Sequence, residues 1–152
     1  IQHSGDPSKA VSMMEGVGHP GDYHIIVAED SPLIRKQVED ALMASGFTDL
    51  HICPDGKVAY DAIVGGGEKC DLLITDVEMP RLDGLTLTRR IKENPETKSI
   101  PVIVFSSIMA NDIKNKAASV GANYQVTKPE ITMLVECVVK VIREKQQAET
   151  EA

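Results

Sequence analysis

Short apolar segments alternate five times with amphipathic stretches between residues 23 and 144. Three of the segments are apolar almost throughout, which is typical of strands that are covered on both faces. Strict alternation of strands and helices predicts an α/β fold, a doubly wound five-stranded parallel sheet with helices on both faces. The alternation of strands and helices alone allows two orders of the five strands in the sheet. The five segments span residues 25–28, 50–53, 72–75, 102–105 and 124–127.

The intervening stretches carry helical spacing and helix boundaries. In the first, Asp30 or Ser31 is the predicted N-cap, Pro32 lies in the first turn, and Gly46 ends the helix. The first and last of these stretches each place their apolar residues on one stripe that faces the core. The stripes are Ile34, Val38, Ala41 and Leu42 in the first, and Ile131, Leu134, Val135, Val138 and Ile142 in the last.

The two ends of the chain lack this pattern. Residues 1–22 are rich in Gly, Ser, Pro and Asp, and we expect a flexible leader or linker, with cloning-derived residues as an open alternative for part of it. Residues 145–152 are polar, and we expect a fraying tail there. The predicted folded domain is therefore residues 23–144.

Composition narrows the class of protein. The 152 residues are 42% hydrophobic and 26% charged, as in soluble globular domains, and no apolar run is long enough to insert into a membrane. A net charge of −7 argues against nucleic-acid binding by this domain. The three cysteines form no CxxC pair, so we expect unreactive thiols in the cytoplasm. The four histidines show no metal-ligand spacing.

Polar residues break the strand pattern at the carboxyl ends of the strands. Glu29 and Asp30 follow the first strand, Asp76 follows the third, Ser106 ends the fourth, and Lys128 follows the fifth. In an open parallel sheet, ligands bind at this edge, where the strand order reverses. The order 2-1-3-4-5 makes the first and third strands neighbours, so that the carboxylates converge. The site residues therefore favour this order.

Clustered carboxylates repel one another, and an oxygen-only ligand set is suited to Mg²⁺. With the ion bound, Asp76 would attack phosphorus as a nucleophile and form an acyl phosphate. Lys128 and the Ser106 hydroxyl would stabilise the charge on the transferred oxygens. The sequence thus predicts covalent transfer of a phosphoryl group to a carboxylate.

Together these residues resemble the response-regulator receiver family, the CheY-like superfamily, over nearly all of residues 23–143. The resemblance implies that Asp76 is the phosphoacceptor and that a sensor histidine kinase is the donor. It also implies that Asp30, Asp76 and the Glu78 carbonyl ligate Mg²⁺, with Glu29 acting through water. The bond after Lys128 is expected to be cis, and the domain acts as a signalling switch that catalyses its own phosphorylation and dephosphorylation. The matching motifs are residues 28–32, 75–80, 83–84, 106–107 and 128–129.

Residues 104–107, 119–122 and 125–130 are most similar to the C-terminal receiver of the CheV-type chemotaxis coupling protein. This narrower resemblance implies a chemotaxis kinase as partner. It also implies contact with a chemoreceptor array through a CheW-like domain outside this sequence. A stand-alone receiver, a receiver with another output domain and a non-phosphorylated interaction module remain alternatives.

One position departs from the family pattern. Many receivers carry an aromatic residue three positions before the lysine, where this chain has Gln125, preceded by Tyr124. Tyr124 is either a core residue or a displaced switch residue. The residues flanking the site, Glu78 and Ile108, are expected to tune hydrolysis of the acyl phosphate.

Two other protein classes share parts of this pattern. A flavodoxin-like cofactor binder would need a phosphate-binding loop after the first strand, where Glu29 and Asp30 would repel an anion. A phosphatase of the haloacid-dehalogenase type would need a second aspartate two residues after Asp76, where this chain has Glu78. Both classes are therefore disfavoured.

Overall fold

The computed structural model describes residues 18–107 and 111–151. All five predicted strands are present, and every neighbouring pair is parallel, in the order β2-β1-β3-β4-β5. The doubly wound fold and the strand order expected from the site residues are thereby confirmed. The strands are β1 (Ile25–Ala28), β2 (Leu50–Cys53), β3 (Leu72–Thr75), β4 (Val102–Ser106) and β5 (Tyr124–Thr127).

Five α-helices follow the strands in turn. The first begins after Ser31, whose hydroxyl accepts a hydrogen bond from the Ile34 N–H, so Ser31 rather than Asp30 is the N-cap. Asp55 and Asp83 cap the second and third helices in the same way. The helices are α1 (Pro32–Ala44), α2 (Gly56–Tyr60, continued by a π-helical turn at Asp61–Gly65), α3 (Gly84–Glu93), α4 (Asn111–Ser119) and α5 (Ile131–Glu151).

The sheet separates two hydrophobic cores. On one face, Ile25 and Val27 pack with residues of α1 and α5, including the predicted stripe residues Val38 and Leu134. On the other face, Ile26 and its neighbours pack with residues of α2, α3 and α4. Alternate strand residues therefore point into opposite cores, which holds the carboxyl ends of the strands at a fixed edge.

The tail differs from the expectation. We predicted a fraying polar segment from residue 145, but α5 continues to Glu151. Its Lys, Gln, Ala and Glu residues are good helix formers, and the Gln146 side-chain amide donates to the Gly18 carbonyl. Of the predicted leader, Pro20–Asp22 forms a single 3₁₀ turn, and residues 1–17 lie outside the described part. None of the described helices, α5 included, has the length and apolar character required to cross a bilayer.

Candidate functional site at the carboxyl edge of the sheet

The sheet register brings the predicted site residues together. Ala28 lies opposite Thr75 on neighbouring strands, so Glu29 and Asp76, the residues that follow them, are adjacent. On the other side, Ser106 lies opposite Thr127, the residue before Lys128. Backbone position alone therefore gathers the end residues of four strands at one edge.

A largely buried lysine, Lys128, contacts two of the carboxylates. The Lys128 Nζ lies 2.7 Å from a Glu29 oxygen and 3.0 Å from an Asp76 oxygen. The side chains of Glu29 and Asp76 are only 2% and 9% exposed, so this ion-pair network is shielded from solvent. Asp30 is exposed, yet one of its oxygens lies within 4.8 Å of oxygens from both other carboxylates.

Burial is the largest influence on the pKa values of Glu29, Asp76 and Lys128. Loss of hydration raises the pKa of both Glu29 and Asp76, although the Lys128 ammonium opposes the increase. Burial also acts to lower the pKa of Lys128, but its hydrogen bonds and attraction to the two carboxylates outweigh it and raise that pKa. The site therefore has excess negative charge that one lysine compensates only in part, and it favours a second cation.

The backbone fixes the orientation of Asp76. One carboxylate oxygen accepts a hydrogen bond from the Val77 N–H at 2.7 Å, and the other faces Lys128. The Asp76 N–H donates to the Ala28 carbonyl, and its own carbonyl accepts from the Thr75 hydroxyl. Because both the main chain and the side chain of Asp76 are hydrogen-bonded, its carboxylate faces one direction, toward Lys128 and Asp30.

The remaining predicted residues lie around this centre. Ser106 is buried at the end of β4, and its carbonyl accepts from the Lys128 N–H. The Glu78 side chain is exposed, and Glu78 lines a shallow opening together with Asp30 and Asp83. The Lys128–Pro129 bond is cis, as the family resemblance implied. Ile108 lies outside the described residues.

Two further residues shape the site: Arg35, which the sequence reasoning missed, and Gly84, which lay in the matching motif but was given no role there. Arg35 donates from its guanidinium to the carbonyls of Glu29 and Asp30, so it fixes the chain between β1 and α1. Gly84 packs directly on the Asp76 carbonyl. The glycine was part of the family motif, whereas an arginine in the first turns of a helix carries no distinctive signal.

Tyr124 does not take the place of the missing aromatic switch residue. It faces the α5 side, where its hydroxyl lies 2.9 and 3.0 Å from the two oxygens of the Glu144 carboxylate. Gln125 points to the opposite face and donates to the Lys114 carbonyl of α4. Because neighbouring strand residues point to opposite faces, Tyr124 is part of the α5-side packing.

The cysteines agree with the expectation of unreactive thiols. Among the described residues all three are free, and burial raises the pKa of Cys53 and Cys70 to about 12 and that of Cys137 to about 11. Thiols with such pKa values hold almost no thiolate at neutral pH and are poor nucleophiles.

Comparison with known proteins agrees with the fold. The sequence matches the family model of the response regulator receiver domain over residues 25–139. The chain belongs to the response regulator receiver family.

Receivers from several contexts are similar to this one. The gliding motility regulatory protein of Myxococcus xanthus is 35% identical over 70% of this chain, but the match covers only 13% of that protein's length. The chemotaxis protein CheY of Pseudomonas aeruginosa is 30% identical over 69% of this chain and 83% of its own length. The solved receiver domain of sensor histidine kinase PA1611 from P. aeruginosa, with magnesium coordinated in its active-site cleft, has a TM-score of 0.70 at 20% identity and covers 80% of this chain and 98% of its own.

Proposed function

We propose that this receiver accepts a phosphoryl group on Asp76 and acts as a switch in two-component signalling, with Mg²⁺ held by Asp30, Asp76 and the Glu78 carbonyl, and by Glu29 through water. The observation that carries the proposal is the placement of Lys128 against Asp76 beside two further carboxylates. A purely structural ion pair would not require Asp30, whose exposed carboxylate adds repulsion to the cluster.

The donor set suits Mg²⁺. Three carboxylates offer oxygen atoms within 4.8 Å of one another, and the exposure of Asp30 leaves access for the ion and its waters. The Glu78 carbonyl is the expected further ligand, and Glu29 is expected to act through water. When bound, Mg²⁺ supplies positive charge to the carboxylates and to the phosphoryl oxygens.

The residues of the chain have separate tasks in the transfer. A carboxylate oxygen of Asp76 forms a bond to phosphorus while the N–P bond of a kinase phosphohistidine breaks and its electron pair stays on the imidazole nitrogen. Lys128 exchanges its contact with Asp76 for one with a transferred oxygen, and Ser106 donates its hydroxyl to another. The signal ends when water attacks phosphorus, the bond between phosphorus and the Asp76 oxygen breaks, and inorganic phosphate leaves the regenerated carboxylate.

We further propose that the setting is chemotaxis in the cytoplasm, with a chemotaxis kinase as donor and a CheV-type arrangement that contacts a chemoreceptor array through a CheW-like domain. The similarity to a CheY protein supports chemotaxis in general, and the sequence likeness at residues 125–130 supports the CheV type. Transfer from a phosphorylated chemotaxis kinase that is faster than from unrelated sensor kinases would support this setting. Equal or slower transfer would contradict it.

The phosphoacceptor proposal is tested by incubation with acetyl phosphate, with and without Mg²⁺, followed by intact-mass measurement. The wild type should gain one phosphoryl group only with Mg²⁺, and Asp76→Asn should gain none. Asp40→Asn, a change at an exposed carboxylate in α1, should behave as wild type. Phosphorylation of Asp76→Asn would refute the assignment. If the wild type gains nothing from either acetyl phosphate or a phosphorylated kinase, the chain is a non-phosphorylated interaction module.

A further inference from the structure

A second cluster of metal-binding side chains lies at the amino end of the sheet, away from Asp76. His24 directly precedes β1, His51 lies in β2, and Glu68 lies in the segment before β3. Ligand atoms of the three side chains all lie within 4.8 Å of one another. The residues are 44 and 17 positions apart from Glu68, which explains why no ligand spacing was visible in the sequence.

The strand register creates the cluster. His51 is paired with Ile26, and His24 lies two residues before Ile26, so both imidazoles project from the same face of the sheet. The π-helical turn at Asp61–Gly65 ends next to this face, and the Glu68 N–H donates to the Ala62 carbonyl. Glu68 is thereby placed against the two histidines.

The ligand atoms already converge. A Glu68 oxygen lies 2.5 Å from His24 Nε2 and 2.9 Å from His51 Nδ1. Ligand atoms around a tetrahedral zinc-type ion with bonds of about 2.0–2.1 Å lie about 3.3 Å apart. An ion would fit if the distances from the Glu68 oxygen to the two imidazole nitrogens increased by less than about 1 Å. A rotation of the Glu68 side chain can produce this increase.

The surroundings support metal binding rather than a chance contact. His24 Nδ1 lies 3.0 Å from an Asp49 oxygen, and metal-binding histidines commonly donate their second ring N–H to a carboxylate. The His24 main chain is fixed by reciprocal hydrogen bonds with Asp71. The three ligand side chains are 15–38% exposed, so an ion can enter from solvent.

We propose that His24, His51 and Glu68 bind a divalent transition metal of the zinc class, with Asp49 orienting His24. Three protein ligands leave a fourth position for water. The ion ties β1, β2 and the segment before β3 together at the end of the sheet opposite the phosphoacceptor. The proposal is independent of phosphorylation at Asp76.

Cobalt(II) is the probe, because it replaces zinc and absorbs visible light in sites of low coordination number. One equivalent bound by the full chain should give the strong visible absorption of a low-coordinate site, whereas cobalt at the oxygen-only site near Asp76 should absorb only weakly. His51→Gln and Glu68→Gln should lose this absorption, and Asp49→Asn should weaken binding by about 10-fold. His19→Gln, a change at an exposed histidine outside the cluster, should retain it. Asp30→Asn should also retain it, since that change affects the carboxylates at the other end of the sheet.

Wild-type protein provides a measurement that does not depend on the folding of any variant. Long-range ¹H–¹⁵N spectra of the imidazoles should show Zn²⁺ shifting His24 Nε2 and His51 Nδ1. Absence of such shifts, or cobalt absorption that survives both His51→Gln and Glu68→Gln, would overturn the proposal and leave the cluster as a set of ion pairs.

Discussion

Gly84 and Asp76 are in such close contact that a Cβ atom built at position 84 would lie 1.7 Å from the Asp76 carbonyl oxygen. The Gly84 N–H also donates to the Val77 carbonyl, so the start of α3 is hydrogen-bonded to the residue that follows Asp76. A side chain at position 84 cannot be accommodated unless the backbone around Asp76 moves. Glycine at this position is therefore a requirement of the site as well as of the fold.

Gly84→Ala should lower the free energy of unfolding by about 2 kcal/mol or more, because the obstructing atom belongs to the backbone. It should also slow phosphorylation by displacing Asp76. Gly65→Ala is the matched control, since a Cβ there meets no atom within 4 Å. Urea denaturation of both variants checks the prediction, and equal stability of the two would contradict the close contact.

Lys128→Ala should destabilise the metal-free protein by about 2–3 kcal/mol, because it leaves Glu29 and Asp76 buried without their cation. Mg²⁺ should still bind to this variant, and it should increase the free energy of unfolding of the variant by more than that of the wild type. Urea denaturation with and without Mg²⁺ measures both effects. Lys36→Ala, which removes an exposed pair with Asp40, should cost less than about 0.5 kcal/mol. A Lys128→Ala variant that loses Mg²⁺ binding would contradict the assigned role.

Asp55 should make the protein less stable as the pH falls into the acid range. Burial acts to raise its pKa, but hydrogen bonds from the Val58 N–H and from Arg81 outweigh it and hold the pKa below that of an ordinary aspartate. The ionised form thus stabilises the fold at pH values above the pKa of aspartate in the unfolded chain, and the contribution is lost as pH falls through the lowered pKa of the folded state.

Asp55→Asn keeps a capping side chain but removes the charge that faces Arg81, so it should cost about 1 kcal/mol at pH 7, and the difference from wild type should shrink below about pH 4. Urea midpoints at several pH values measure it. Asp40→Asn, at an exposed position in α1, is the control. If the loss of stability in Asp55→Asn is the same at every pH, down to the most acidic condition, the charge of Asp55 is not its cause.

Gln125→Ala should loosen α4 and leave phosphorylation of Asp76 unchanged, because the Gln125 amide donates to the Lys114 carbonyl of α4. Amide hydrogen exchange in Asn111–Ser119 should become faster. Tyr124→Phe is the control, since its lost hydrogen bonds lead to Glu144 on α5. Equal exchange in α4 for both variants would show that Gln125 does not hold the helix.

Most of the fold could be predicted because the apolar strand segments and the site residues indicate the same parallel sheet. The apolar runs fixed the strands, and the need to bring Glu29 next to Asp76 selected the strand order. The helical tail was missed because residues 145–151 have few apolar positions, and their order depends on contacts such as Gln146 with Gly18. The histidine cluster was missed because His24 and His51 approach each other only through the pairing of β1 with β2.

The most direct test of the account is to locate the modified residue chemically. Borohydride reduces an aspartyl phosphate to homoserine, so wild-type protein treated with acetyl phosphate and Mg²⁺ and then with borohydride should carry homoserine at position 76. The same treatment without Mg²⁺ should leave Asp76 unchanged in peptide mass spectra. Homoserine at Asp30 or another aspartate, or at Asp76 irrespective of Mg²⁺, would contradict the proposed site.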